Sequence, residues 1–157
     1  EASLANEVHR GNIIVLRSFG KFFGLAGLRL GFALASPDLA ARLAARLGPW
    51  AVSGPAIAIA ERALADAAWI DGTRRRLADA AAKLDGLLAD ARTEVIGGTS
   101  LFRLVRMPSA SRLFQHLGTA GVLVRAFREQ PTWLRFGIPR DGDWHRLQSH
   151  LATANAT

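Results

Sequence analysis

Residues 13–35 impose the tightest constraint on what this chain can fold into. Ile13, Ile14, Val15 and Leu16 form a β-branched run, and Leu28 to Ala35 is a second apolar run interrupted by Arg29 and Gly31. Both are of strand length and read as buried strands. The connection between them holds glycines at 20, 24 and 27 and a single lysine, Lys21. Those glycines let the backbone turn tightly and approach a ligand that side chains would hold off. Ser18 and Arg29 bracket Lys21 with a hydroxyl and a permanent cation, a pair suited to holding a phosphate.

Further along, the hydrophobic period alternates between helix and strand. Ser36-Pro37-Asp38 carries a hydroxyl cap, proline at the first helical position and an early acid, so a helix is expected through Leu47, with Leu39, Leu43 and Leu47 packed on one side. Gly48 to Pro55 is the clearest break, and Ser53 is placed to cap a helix over residues 55–67. Residues 73–92 form an amphipathic helix whose Leu77, Ala81, Leu84 and Leu88 share a stripe, with an Arg75, Asp79 and Lys83 ladder opposite. From residue 93 strands are expected at 93–96, 101–107, 122–127 and 133–138. A helix capped by Ser109 or Ser111 and closed by Gly118 lies among them, and Asp141 caps a last helix with Trp144, Leu147 and Leu151 inward. This order gives an α/β fold.

Composition narrows the function. No stretch is long and apolar enough to span a membrane, and residues 1–7 lack the pattern of a signal peptide, so a cytoplasmic protein is expected. The absence of cysteine excludes disulfides and thiolate metal sites. The net charge of +7 raises nucleic acid as a partner. Its arginines, however, are scattered near acids and not interleaved with aromatics, and Arg74, Arg75 and Arg76 fan around a helix as a solvated face, so no nucleic-acid role is expected. The four histidines make no metal site: His145 and His150 diverge around one helix, and His9 and His116 have no nearby acids. Ser18 lacks the nucleophile elbow of a hydrolase.

The run from Ser18 to Gly31, with serine three before the lysine and arginine eight after it, resembles the active-site segment of the fold-type I pyridoxal-phosphate enzymes, the aspartate aminotransferase superfamily. The resemblance implies that Lys21 carries pyridoxal 5'-phosphate covalently and that Ser18 and Arg29 bind its phosphate. It implies that the chain is the C-terminal part of such an enzyme. Residues 1–54 are then a remnant of the large cofactor domain, 55–92 interdomain helices, and 93–157 a small C-terminal domain, in a parent that is a homodimer. The family's aspartate partner to the pyridine nitrogen has no counterpart here, nor does its phenolate-binding tyrosine, since the chain has no tyrosine. A non-catalytic fragment acting as a structural unit is therefore a standing alternative.

Downstream, Arg135 interrupts an apolar strand pattern that would bury its charge unless it met an anion. It resembles the small-domain arginine that grips the substrate α-carboxylate in this superfamily, and Arg125 resembles a second arginine of the histidinol-phosphate aminotransferase branch. Read from the residues alone, structural ion pairs explain either. Trp50 is placed either at the substrate cavity or packed in a domain junction. Residues 15–35 are most similar to the threonine-phosphate decarboxylases of cobalamin biosynthesis, with histidinol-phosphate aminotransferases as siblings. The resemblance implies a phosphorylated amino-acid substrate and decarboxylation of L-threonine O-3-phosphate to aminopropanol phosphate; transamination is the alternative. In either chemistry a desolvated Lys21 would serve as acid or base.

Overall fold

The computed structural model describes residues 3–154. Helices and sheets are mixed along the chain, as expected, and they divide into two compact units, Glu1–Ala67 and Ala68–Thr157.

In the first unit, β1 (Val15–Ser18) and β2 (Gly31–Leu34) pair antiparallel, with Ser18 opposite Gly31 and Val15 opposite Leu34. Helices α1 (Pro37–Leu47) and α2 (Gly54–Ala65) follow. The strands lie where the two apolar runs place them, but they are not buried: Leu16 is 78% exposed and every residue of β2 is exposed. A two-stranded ribbon has two faces, and no further strand joins it among the described residues. No residue of α1 is buried either: of the expected packing side, Leu39 and Leu43 are half-buried and Leu47 is 68% exposed. Ser36 stands at the start of α1 without a capping side-chain hydrogen bond. Ser53 does cap α2, its hydroxyl accepting the Ala56 N–H at 3.4 Å. Trp50 is 94% exposed, at a φ of 67°.

The second unit opens with the long helix α3 (Ala67–Asp90), which starts earlier than the amphipathic stripe indicates. Strands β3 (Glu94–Thr99) and β4 (Phe102–Arg106), helix α4 (Ala110–Thr119), strands β5 (Arg125–Ala126) and β6 (Trp133–Gly137), and helix α5 (Trp144–Ala154) follow. The sheet order is β3-β4-β6-β5, antiparallel throughout. Leu84 and Leu88 of α3, Leu113 and Leu117 of α4, and Leu147 and Leu151 of α5 close over Val105, Leu134 and Phe136 on one face of the sheet. Each of these leucines contributes about 1.5–3 kcal/mol by leaving water. Arg103 points into that side and is held by Asp85 of α3, with Nε–Oδ1 at 2.5 Å and Nη2–Oδ2 at 2.9 Å.

Several expected details differ. Gly118 lies inside α4, and the positive φ of 71° falls at Gly121. There the added Cβ of any other residue would meet Arg146 Nη2 at 2.6 Å. The strand expected at 122–127 shrinks to two residues, because pairing with β6 covers only Arg125 and Ala126. The Arg75, Asp79 and Lys83 ladder is replaced by an Arg74–Asp71 pair at 3.1 Å, while Lys83 lies over the Trp144 ring at 4.5 Å. Among the described residues no helix is long and apolar enough to cross a membrane, and no cluster of acids and histidines could hold a metal ion.

Candidate active site

The lysine loop is built by closing the β1–β2 hairpin. Where β1 ends, the Phe19 N–H donates to Leu30 O at 3.2 Å, and Phe19 O accepts the Leu25 N–H at 3.0 Å. Lys21 O accepts the Gly24 N–H at 3.0 Å, and Gly24 takes a φ of 69° to complete that turn. A 3-10 turn over Ala26–Leu28 then leads to Arg29, whose N–H returns to Ala26 O at 3.3 Å. The glycines that permit close approach are Gly20, where an added Cβ would sit 3.1 Å from Ala26 Cα, and Gly31, where it would sit 2.9 Å from Arg17 O. Gly27 has open space and no positive φ, so the role expected of it passes to these two.

Arg29 is where the backbone is strained. It takes the left-handed conformation, φ 51° and ψ 36°, which costs an arginine roughly 1 kcal/mol and a glycine almost nothing. Strain of this kind collects at functional positions when the surrounding structure enforces it.

Ser18, Gly20, Lys21, Ala26, Arg29, Leu30 and Gly31 line one cleft of about 350 Å³. Two cations and a hydroxyl share it, and no carboxylate lines it. Ser18 Oγ accepts the Gly20 N–H at 3.1 Å, which leaves its own O–H to donate into the cleft. This donor set fits the phosphate of pyridoxal 5'-phosphate, with a primary amine beside it for the aldehyde. Among the described residues nothing in the cleft supplies an acid for the pyridine nitrogen. Lys21 is exposed, contrary to the desolvated lysine expected, because the ribbon beneath it carries no covering layer among the described residues. Behind the loop, Phe19, Phe22, Phe23 and Phe32 line a separate apolar pocket of about 430 Å³.

In the second unit, Arg125 and Arg135 are directly opposite in the β5–β6 pair, so their side chains share one face of the sheet. Strand alternation explains how β6 carries a charge: Leu134 and Phe136 turn into the core, and Arg135 turns outward, half-buried and not enclosed as expected. Neither arginine meets a carboxylate within 4 Å among the described residues. Each guanidinium instead covers an aromatic ring, Arg125 over Phe127 at 5.5 Å and Arg135 over Phe102 at 5.3 Å. At the β3 end of the sheet, Arg106 pairs with Glu94 at 2.7 Å, and the Arg106 hydrogen bond holds the Glu94 carboxyl below its ordinary value. The Asp85 hydrogen bond likewise raises the Arg103 guanidinium above its ordinary value.

Residue spacing points to Ser18, Lys21, Arg29, Arg125 and Arg135, but not to Phe19. This is the one large side chain buried among the described residues of the first unit, at 2% exposure. A phenylalanine between serine and glycine carries no periodic signal that would have found it.

Comparison with known proteins matches residues 1–149 to the aminotransferase class I and II family. A threonine-phosphate decarboxylase from Sinorhizobium sp. is 48% identical over 91% of this chain and 43% of its own length. One from Pseudomonas aeruginosa is 45% identical over 96% of this chain and 46% of its own length. The chain thus spans less than half the length of these relatives. Among solved structures, histidinol-phosphate aminotransferase from Sinorhizobium meliloti, in complex with pyridoxal-5'-phosphate, superposes with a TM-score of 0.82 at 20% identity, a likeness of fold that covers 95% of this chain and 42% of that one. The chain belongs to the aminotransferase class I and II family.

Proposed function

We propose that this chain carries the lysine and phosphate-binding half of a pyridoxal-phosphate active site in a parent that decarboxylates L-threonine O-3-phosphate to aminopropanol phosphate. The observation that carries this is the shared cleft of Ser18, Lys21 and Arg29, in a chain 45–48% identical to threonine-phosphate decarboxylases.

Each residue has a role its chemistry allows. The Ser18 O–H and the Arg29 guanidinium donate to the cofactor phosphate, Arg29 by a planar fork that a lysine does not provide. Lys21 Nζ would hold the cofactor aldehyde and, once released, would be free to move protons. Pyridoxal phosphate, when bound, would supply an electron sink for the bond broken at the substrate Cα. Reaction choice therefore falls to the residues that orient the substrate. Arg125 and Arg135 present two guanidinium groups to a substrate that carries both a carboxylate and a phosphate. Oriented so that its carboxylate departs, the substrate would lose carbon dioxide, and Lys21 Nζ would deliver the replacing proton to Cα. Oriented so that Cα–H reacts, it would give up that proton to Lys21 Nζ, as transamination requires. The family resemblance also implies a cytoplasmic homodimer, and light scattering on the full-length parent tests its dimeric state.

The deciding experiment incubates the full-length parent with L-threonine O-3-phosphate and follows carbon dioxide in the absence of any keto-acid acceptor. Release is expected. Turnover confined to histidinol phosphate with 2-oxoglutarate would replace decarboxylation with transamination.

A further inference from the structure

We propose that Phe23 is the positioning residue for Lys21: stacked on Phe19, it closes a clasp around the turn on which the lysine stands. This rests on the cofactor role of Lys21 and adds the group that directs its side chain.

Lys21 is the middle of five residues, and the rings two before and two after it lie face to face. The Phe19 and Phe23 centroids are 4.5 Å apart, with planes 10° from parallel. Phe19 is fixed independently of Phe23. It is 2% exposed, its ring lies 5.7 Å from Phe32 of β2, and its backbone bonds to Leu30 and Leu25 on the returning chain. Phe23 is fixed to Phe19 by the stack, and Phe22 meets the Phe23 ring edge-on at 5.2 Å.

With both flanks pinned, the turn has two sides of opposite character. Phe19, Phe22 and Phe23 line the apolar pocket, while Gly20 and Lys21 line the polar cleft with Ser18 and Arg29. Sinking the aromatic rings into one side leaves the lysine to the other. An exposed lysine on an unrestrained loop would have to be ordered at every binding event, whereas the clasp supplies that order beforehand.

The test uses the chain's two lysines against each other, since Lys83 is the only other one and stands over Trp144 in the second unit. The full chain is incubated with pyridoxal 5'-phosphate and trapped with cyanoborohydride, and label at Lys21 and Lys83 is quantified by peptide mass spectrometry. Wild type and Phe23→Tyr, which keeps the stacked ring, are expected to label Lys21 preferentially. Phe23→Leu keeps an apolar side chain without the stack and is expected to lower the Lys21 to Lys83 ratio about two- to tenfold, the span of an aromatic pair's contribution. An unchanged ratio in Phe23→Leu overturns the positioning role and leaves the cofactor role standing. No preference for Lys21 in wild type would remove the cofactor role. The clasp is then judged by amide exchange: protection at Leu25 is expected to fall in Phe23→Leu while the Ala60 amide of α2 is unchanged, and equal Leu25 protection overturns it. Loss of protection at Ala60 would report unfolding of the unit, and Phe23→Met then makes the same comparison.

Discussion

Replacing Arg29 by glycine is expected to strengthen the fold and weaken the site at once. The residue sits at φ 51° and ψ 36°, and glycine removes the roughly 1 kcal/mol that this conformation costs a side-chain-bearing residue. Little is lost in exchange, because the one hydrogen bond its side chain makes among the described residues runs to Ala26 O at 3.5 Å, the outer limit of such a bond, and is exposed. After the extra chain entropy of glycine is set against the relieved strain, a net gain of about 0.5 kcal/mol remains. Arg29→Ala keeps the strained backbone and is expected to gain nothing. Binding moves the other way. A charged hydrogen bond contributes about 1.5–3 kcal/mol, so losing the guanidinium should weaken phosphate and pyridoxal 5'-phosphate binding roughly 10- to 100-fold. Thermal unfolding and titration calorimetry on wild type and both variants read the two effects separately. A glycine variant that binds phosphate as tightly as wild type, or is no more stable than the alanine variant, would refute the reasoning.

Three further outcomes are expected. Lys21→Ala should abolish the visible absorbance of the lysine-bound cofactor while leaving the unfolding midpoint unchanged, because the side chain is exposed and structurally idle. Asp85→Ala should destabilise the second unit by about 1–2 kcal/mol in chemical denaturation, since Arg103 is only 17% exposed and would lose both bonds to its partner; the 41% exposure of Asp85 keeps the figure below that of a fully buried pair. The Arg106 hydrogen bond lowers the Glu94 carboxyl, so the pair's stabilisation is fully present above the ordinary carboxyl value of 4.5 and is lost as pH falls through the lower folded value. Urea midpoints of wild type and Glu94→Gln should therefore differ at neutral pH and converge in acid, and a constant difference across that range would contradict it.

What could be read from the sequence was the kind of element and its order, because the period of apolar residues changes visibly between helix and strand. The α3 stripe is the clearest instance: Leu84 and Leu88 are both fully buried where the spacing puts them. Periodicity reports which residues are apolar, not what covers them, and so β1 and β2 were legible as strands but not as exposed ones. Caps were half legible. The hydroxyls of Ser53 and Ser36 each precede a helix with proline in its first two positions, yet only Ser53 of the two turns its oxygen onto a helical N–H. The site divides similarly. Ser18, Lys21 and Arg29 follow from their spacing, but the left-handed backbone at Arg29 is imposed by closing the hairpin, and no preference of arginine announces it. The Phe19–Phe23 stack is equally hidden, because side chains four apart in a loop meet only once the turn at Lys21 has formed.

The two downstream arginines show the same exchange of stability for readiness in another element. Like charges directly opposite on antiparallel strands cost about 0.2–1 kcal/mol, and Arg125 and Arg135 bear that cost with no carboxylate between them among the described residues. Resting each guanidinium on a ring offsets part of it without occupying the donors, since an aromatic face accepts the charge and leaves the N–H groups in the guanidinium plane available. A carboxylate in that position would have stabilised the sheet more, as Glu94 does for Arg106 on the same sheet, but it would have filled the forks. If the anionic substrate proposed for this pair arrives at Arg125 and Arg135, it would relieve the repulsion between two like charges that β5 and β6 place opposite each other.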